Sequence, residues 1–234
     1  MDIWAVNLNS LAESPSLWEP YLAMLDEPVQ SKLARFRQPA DRLRSLCGEM
    51  LLRVYARDCW HLPAGGLTRT VNAYGKPALA GYSANHYNLS HAGRWVAAVF
   101  DREPVGIDVE AVLPIDMAVA KHYFSASEAE WLRQQPDERR LTQFYRLWTL
   151  KESYIKAEGK GLSLPLNSFA FQLDPGSGIR FSPPSDRTET VWHFRQYNID
   201  PDYALSVCAR QPGFPDRVET IDWTELGRRF LALF

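Results

Sequence analysis

The segment from about Glu138 to Gly159 constrains this chain most. Leu147, Leu150 and Tyr154 recur there at helical spacing and can face a core. Trp148, Glu152 and Lys156, at i, i+4 and i+8, lie along a separate stripe. Gly159 offers the left-handed C-cap that ends the helix. The first half carries a counterpart from Asp41 to Cys59, with Leu43, Leu46, Met50 and Val54 at the same spacing. Strand-like runs accompany each long helix. The pattern predicts an α/β (α+β) chain of two similar lobes, each a small, mainly antiparallel sheet packed on a long helix. The lobes join near Asp101–Pro104, giving residues 1–103 and 104–234.

The remaining elements follow from local signals. IWAVNL reads as a first strand, and a helix is expected over about Leu22–Phe36. YGKPAL is a turn with a short extended segment. HYNLSH, RWVAAVF and VGIDVE read as strands, and the turn residues of DREP predict an antiparallel hairpin from Trp95 to Glu110. Ser125, Ser127 and Glu128 signal a helix start before EAEWLRQ. FAFQL, VWHFRQY and YALSVCAR are late strands, and a short helix closes the chain near Trp223–Leu233. DPGSGIRFSPPSDRTET reads as an exposed excursion.

Composition narrows the class. At 234 residues, 46% hydrophobic and 23% charged, the chain can bury a sizeable core. A net charge of −2 argues against coating nucleic acid or an anionic membrane, so an anionic ligand needs a local cluster of Lys and Arg. Cys47, Cys59 and Cys208 lack CxxC spacing and read as small buried residues in a reducing compartment. The N-terminus has neither a basic start nor a long apolar run, and no other stretch is long enough to span a bilayer. A cytoplasmic protein is expected.

Two acids stand out in GIDVE. In a strand, Ile107 and Val109 share one face while Asp108 and Glu110 share the other. Neighbouring carboxylates repel unless a cation lies between them, and Mg²⁺ takes such hard oxygen ligands. Taken alone, the pair reads as a solvated strand face. On the long helix, Glu152 and Lys156 could form an ordinary surface pair worth ~0.3–0.5 kcal/mol. That pair does not explain the adjoining Trp148, nor Lys160 set between Gly159 and Gly161. If Glu152 faces Asp108 and Glu110, three acids can hold one Mg²⁺ with Lys156 beside it for phosphate, which is the chemistry of phosphoryl transfer. In the first half, Ser90 and His91 fall at a strand end, Lys76 in a rigid turn, and Lys32, Arg44 and Ser45 on or near helices. Taken singly, each is an ordinary structural or solvated residue.

In order and spacing, YGKPAL, NLSHAGRWVAAVF, GIDVE, FSASEAEWL and FYRLWTLKESYIKAEGKGLSLPL resemble the 4′-phosphopantetheinyl transferases of the broad-specificity, surfactin-synthetase-activating type. The resemblance implies two pseudosymmetric lobes with coenzyme A in the cleft between them. It implies transfer of phosphopantetheine to a serine of apo carrier proteins of the peptide-synthetase, polyketide or fatty-acid kind, by a monomer that needs neither nucleic acid nor membrane. Carried across by motif, Asp108, Glu110 and Glu152 are the Mg²⁺ ligands, and Lys156 binds the pyrophosphate. Asp108, Glu152 and Lys156 form the catalytic group, with Glu152 also the candidate base. Ser90 and His91 contact phosphate. Tyr74, Gly75, Lys76 and Pro77, with Arg44 and Ser45, contact the adenosine end, Lys32 binds the 3′-phosphate, and Lys160 belongs to the binding set. One departure is Val29, where surfactin-type members carry a second lysine.

Two other readings use the same residues. A Mg²⁺-dependent nuclease would share acids and a lysine, but such sites often use Glu-x-Lys, and Val112 stands at the Lys position after Glu110. A non-catalytic module binding coenzyme A or a carrier protein would not need three acids. The apolar segment Val112–Phe124 is expected to be a helix that is mostly core, with a few exposed side chains docking the carrier.

Overall fold

A computed structural model describes residues 1–9, 11–63, 67–174, 178–186 and 190–234, with Leu162 described by its backbone alone. The first half holds β1 (Asp2–Asn7), α1 (Glu19–Leu22), α2 (Glu27–Leu33), α3 (Pro39–Asp58), β2 (Arg69–Val71), β3 (Pro77–Leu79), β4 (His86–Ala92) and β5 (Trp95–Asp101). The second holds β6 (Val105–Ala111), α4 (Ala118–Tyr123), α5 (Ala126–Arg133), α6 (Asp137–Glu158), β7 (Ala170–Asp174), β8 (Gly178–Ser182), β9 (His193–Tyr197), β10 (Tyr203–Ala209), β11 (Glu219–Thr220) and α7 (Trp223–Leu231).

Sheet order follows from which faces are apolar. One sheet runs β11-β1-β5-β4, antiparallel except for the β1–β11 pair, and a second runs β6-β10-β9. The alternation of β1 divides its side chains between two cores. Trp4 and Val6 join Leu43, Leu46, Met50 and Val54 of α3, whereas Ile3 and Ala5 join Ile107 and Val109 of β6 and Val207 of β10. A third cluster gathers Leu147, Leu150 and Tyr154 of α6 with Phe169, Phe171 and Trp192. Among the described residues, no helix is long and apolar enough to cross a membrane.

Several expectations are corrected. The helix expected over Leu22–Phe36 is confined to α2, Glu27–Leu33: α1 has already ended at Leu22, and Pro28 starts a new first turn. The hairpin lies one turn earlier than expected: β5 pairs with β4 and β1, while β6 pairs with β10. On its other edge, β6 is met by side chains, with Ile107 N–H donating to Asn88 Oδ1 at 2.9 Å and Val109 N–H to Ser90 Oγ at 3.2 Å. The expected excursion contains β8, which pairs with β7; residues 175–177 and 187–189 of it lie outside the described residues. The end of the chain, expected with the second lobe, returns to the first: Trp4 pairs with Glu219, and Ile221, Trp223, Leu226 and Phe230 enter the α3 core. Cys47 and Cys208 are buried as expected, but Cys59 is exposed.

The long helices form as their patterns require. Gly159, at φ 69°, closes α6. Ser125 and Glu128 make a reciprocal capping box at the start of α5. Glu128 also meets Lys151 of α6 at 2.8 Å, both fully buried, and Lys151 Nζ donates to the carbonyls of Leu166 and Phe169. This pair fixes the rotation of α6, so Glu152, the next residue, is turned away from the core.

Candidate active site

The site is built where β6 crosses α6. A Cβ on Gly106 would lie 2.0 Å from Ser153 O and 2.5 Å from Ala157 N, so only glycine permits this approach. Two residues later on the same face comes Asp108, which is 3% exposed. Its Oδ1 accepts from Ser90 Oγ at 3.0 Å and from Lys156 Nζ at 2.6 Å. Lys156 Nζ also donates to Ser90 Oγ at 2.9 Å. With the Val109 amide, Ser90 Oγ thus uses its one donor and both acceptors. Lys156 pairs with Asp108, not with Glu152, so the surface-pair reading of the helix stripe fails.

Three acids share this place. Burial holds the Asp108 carboxyl above its ordinary value, with Lys156 opposing. Glu110 is pushed up to about 7 by burial and then by the Asp108 and Glu152 charges, offset in part by Lys156 and a hydrogen bond from Trp148. Burial and Asp108 raise Glu152, again against Lys156. Among the described residues, no group of three or more His, Cys, Asp or Glu side chains is spaced to hold a metal ion. The donors nevertheless suit a hard divalent cation. Asp108 Oδ2 is buried with no hydrogen-bond partner, and the charges of Asp108 and Glu152 both act to raise Glu110. Three carboxylates leave room for phosphate oxygens and water to complete such an ion.

A cationic flank adjoins the acids. His91 follows Ser90 on β4, and its imidazole is held below its ordinary value by desolvation and by the positive charges of Arg44 and Lys156. Arg44 donates to Gly93 O at 2.9 Å and pairs with Asp41 at 2.5 Å, and half-buried Ser45 follows it on α3. Lys32 stands exposed in the last turn of α2, and no hydrogen bond or ion pair among the described residues joins it to this cluster. Val29 packs against the first apolar cluster, so a lysine there would first have to leave that contact.

Lys76 does not present its ammonium to solvent as a turn lysine ordinarily would. Burial lowers it to about 8, and Nζ donates to Ala157 O at 2.8 Å and Val105 O at 3.2 Å. What the turn can offer a ligand is therefore exposed Tyr74, Gly75 at φ 86°, and Pro77. Pro77 and Lys76 border a cavity of about 230 Å³ that reaches the end of α6 at Glu158. Lys160, just past Gly159, is half-buried. Sequence reasoning missed Asn72 and Asn88. Asn88 alternates with Ser90 on β4, and a polar i, i+2 pair inside a buried strand was the available signal.

Comparison with known proteins fits this geometry. The chain is 35% identical over 208 residues to 4′-phosphopantetheinyl transferase Sfp of Bacillus subtilis (strain 168), covering 89% of this chain and 92% of that protein. The chain belongs to the 4′-phosphopantetheinyl transferase superfamily. The family so described matches residues 104–208, and the family described as 4′-phosphopantetheinyl transferase, N-terminal, matches residues 12–102. The 4′-phosphopantetheinyl transferase psf-1 of Bacillus pumilus is 38% identical, over 80% of this chain and 79% of its own length. A human L-aminoadipate-semialdehyde dehydrogenase-phosphopantetheinyl transferase is 28% identical, over 89% and 74%. The family expected from the motifs is the one found, and NLSHAGRWVAAVF, GIDVE and FYRLWTLKESYIKAEGKGLSLPL contribute β4, β6 and α6, the elements that meet at the site. Nothing in these relatives favours a nuclease.

Proposed function

We propose that this transferase moves the 4′-phosphopantetheine arm of coenzyme A to a serine hydroxyl of an apo carrier protein. The serine oxygen bonds to the phosphorus that bears the arm. The bond from that phosphorus to the bridging oxygen breaks, and adenosine 3′,5′-bisphosphate leaves. The observation that carries this reading is the Asp108–Ser90–Lys156 junction, which joins the two halves of the chain where acids and cations meet.

Asp108, Glu110 and Glu152 would hold Mg²⁺, which when bound supplies charge neutralisation at the pyrophosphate. Lys156, His91 and Arg44 bind phosphate oxygens and orient the donor, Ser90 holds Lys156 and Asp108 in register, and Lys32 takes the 3′-phosphate. Glu152, whose carboxyl burial holds above its ordinary value, accepts the proton of the carrier serine. The coenzyme lies between α3, β4 and the Tyr74–Pro77 turn on one side and β6 and α6 on the other, the cleft of a two-lobed molecule. Lys160 flanks it beyond the end of α6.

The carrier docks beside β6. Val112–Phe124, expected to be one helix, is helical only from Ala118 to Tyr123, and it leaves Leu113, Ile115 and Tyr123 exposed while Val112, Met117 and Val119 pack inward. Such an apolar surface demands few matched charges, so carriers of the peptide-synthetase, polyketide and fatty-acid kinds are all admitted. Our reading is of a monomer in the cytoplasm, whose free cysteines fit a reducing compartment. The test mixes the protein with Mg²⁺, coenzyme A and one apo carrier of each kind, and weighs each carrier by mass spectrometry. A phosphopantetheine adduct is expected; no adduct on any carrier refutes the proposal.

A further inference from the structure

Asn72 has no role in the reading above, yet it closes a turn of the first half and ties that turn to the second. Its Oδ1 accepts from the amides of Tyr74 and Lys76, each at 2.9 Å. Its own N–H donates to Lys76 O and its carbonyl accepts from Gly75 N, each at 3.0 Å, so the turn is closed on every side. The remaining donor, Nδ2, reaches Gly159 O at 2.7 Å, 87 residues away. Lys76 then adds its two bonds to Ala157 O and Val105 O. The fit is tight from the other side as well: a Cβ on Gly159 would come within 2.7 Å of Lys76 Cδ and 3.1 Å of Asn72 Nδ2.

The place of this contact matters. Gly159 lies three residues beyond Lys156, about 4.5 Å along the helix axis. One amide therefore shapes the turn and also fastens it to the end of the helix that carries Lys156. We propose that Asn72 is a positioning residue, setting the span between the turn that meets the nucleoside end of coenzyme A and the lysine that meets its pyrophosphate. This rests on the reading of the Tyr74–Pro77 turn as the adenosine contact. The same bonds explain the glycine at 159 beyond its role as a cap.

A residue that only stabilised the turn would act through Oδ1 alone. Asn72→Asp keeps that acceptor for both amides, loses the donor to Gly159 O, and sets a carboxylate against the negative end of the helix. Asn72→Ala loses both functions. The experiment measures KM for coenzyme A, kcat, and the inhibition constant of inorganic pyrophosphate, which engages only the phosphate grip. Both variants should raise KM for coenzyme A about tenfold, the scale of one net hydrogen bond lost. Pyrophosphate inhibition and kcat should stay within about threefold, because Lys156 and the acids are untouched. Asn72→Asp behaving as wild type would overturn the proposal, as would KM and the pyrophosphate constant rising together. Absence of any coenzyme A turnover in the wild type would instead remove the reading beneath it.

Discussion

Gly106→Ala tests whether the β6–α6 contact sets the catalytic spacing. The added Cβ would sit 2.0 Å from Ser153 O and 2.5 Å from Ala157 N, whereas ordinary contact begins near 3.4 Å. Both neighbours are backbone atoms of α6, so no side chain can swing aside, and strand and helix must part by more than an ångström. Overpacking of this kind costs about 1–3 kcal/mol. In a chain of this size that lowers the melting temperature by roughly 2–12 °C. The displacement separates Asp108 and Glu110 on β6 from Glu152 and Lys156 on α6. A misplacement of about 1 Å costs on the order of 10²-fold in rate. The variant should therefore be folded at 25 °C, by circular dichroism, yet transfer phosphopantetheine about a hundredfold more slowly at saturating coenzyme A and carrier. A lower melting temperature with kcat within threefold of wild type would show that β6 and α6 can part without disturbing the site, and the spacing argument would be wrong.

Glu110 gives the metal-free protein a pH signature. Its folded-state value, about 7, lies above the ordinary 4.5, so the folded protein keeps a proton that the unfolded chain has released. Stability from this group is full below about pH 4.5 and is lost as pH rises to about 7. In chelator, Glu110→Gln should melt like wild type near pH 4.5 and be more stable by about 1–2 kcal/mol at pH 8, after discounting for partial solvent screening; a difference that does not change with pH would count against the shared-charge picture. Lys151→Met should cost about 3–5 kcal/mol by leaving Glu128 buried and unpaired, and Glu128→Gln added to it should recover much of the loss. Thermal melts of the single and double variants decide this, and a single variant as stable as wild type would contradict it.

What could be read in the chain itself was local. The spacing of Leu147, Leu150 and Tyr154 places them in a core, and all three are buried. Gly159 ends its helix, Ser125 and Glu128 start theirs, and Asp108 and Glu110 share a strand face, because these properties depend on φ, ψ and residue period over a few positions. The family motifs are local in the same sense, which is why the transferase reading needed no coordinates.

Tertiary structure decided everything that depends on which distant edge meets which. The run from Trp95 to Glu110 looks like a hairpin because a turn signal says only that the chain reverses. Both flanking strands found better partners, β5 in β4 and β1, and β6 in β10. Glu219–Phe234 returned to the first half because Ile221, Leu226 and Phe230 complete a core begun by α3. Lys156 chose Asp108, 48 residues away, over Glu152 one helical turn away, since a buried carboxylate gains more from a cation than a partly exposed one. Lys76 turned inward for a related reason, and exposed Asn72 reaches across beside it. The carbonyls of Val105, Ala157 and Gly159 meet these two side chains only once the two halves have packed, and the partly buried ammonium of Lys76 is held by whatever acceptor the packing brings to it.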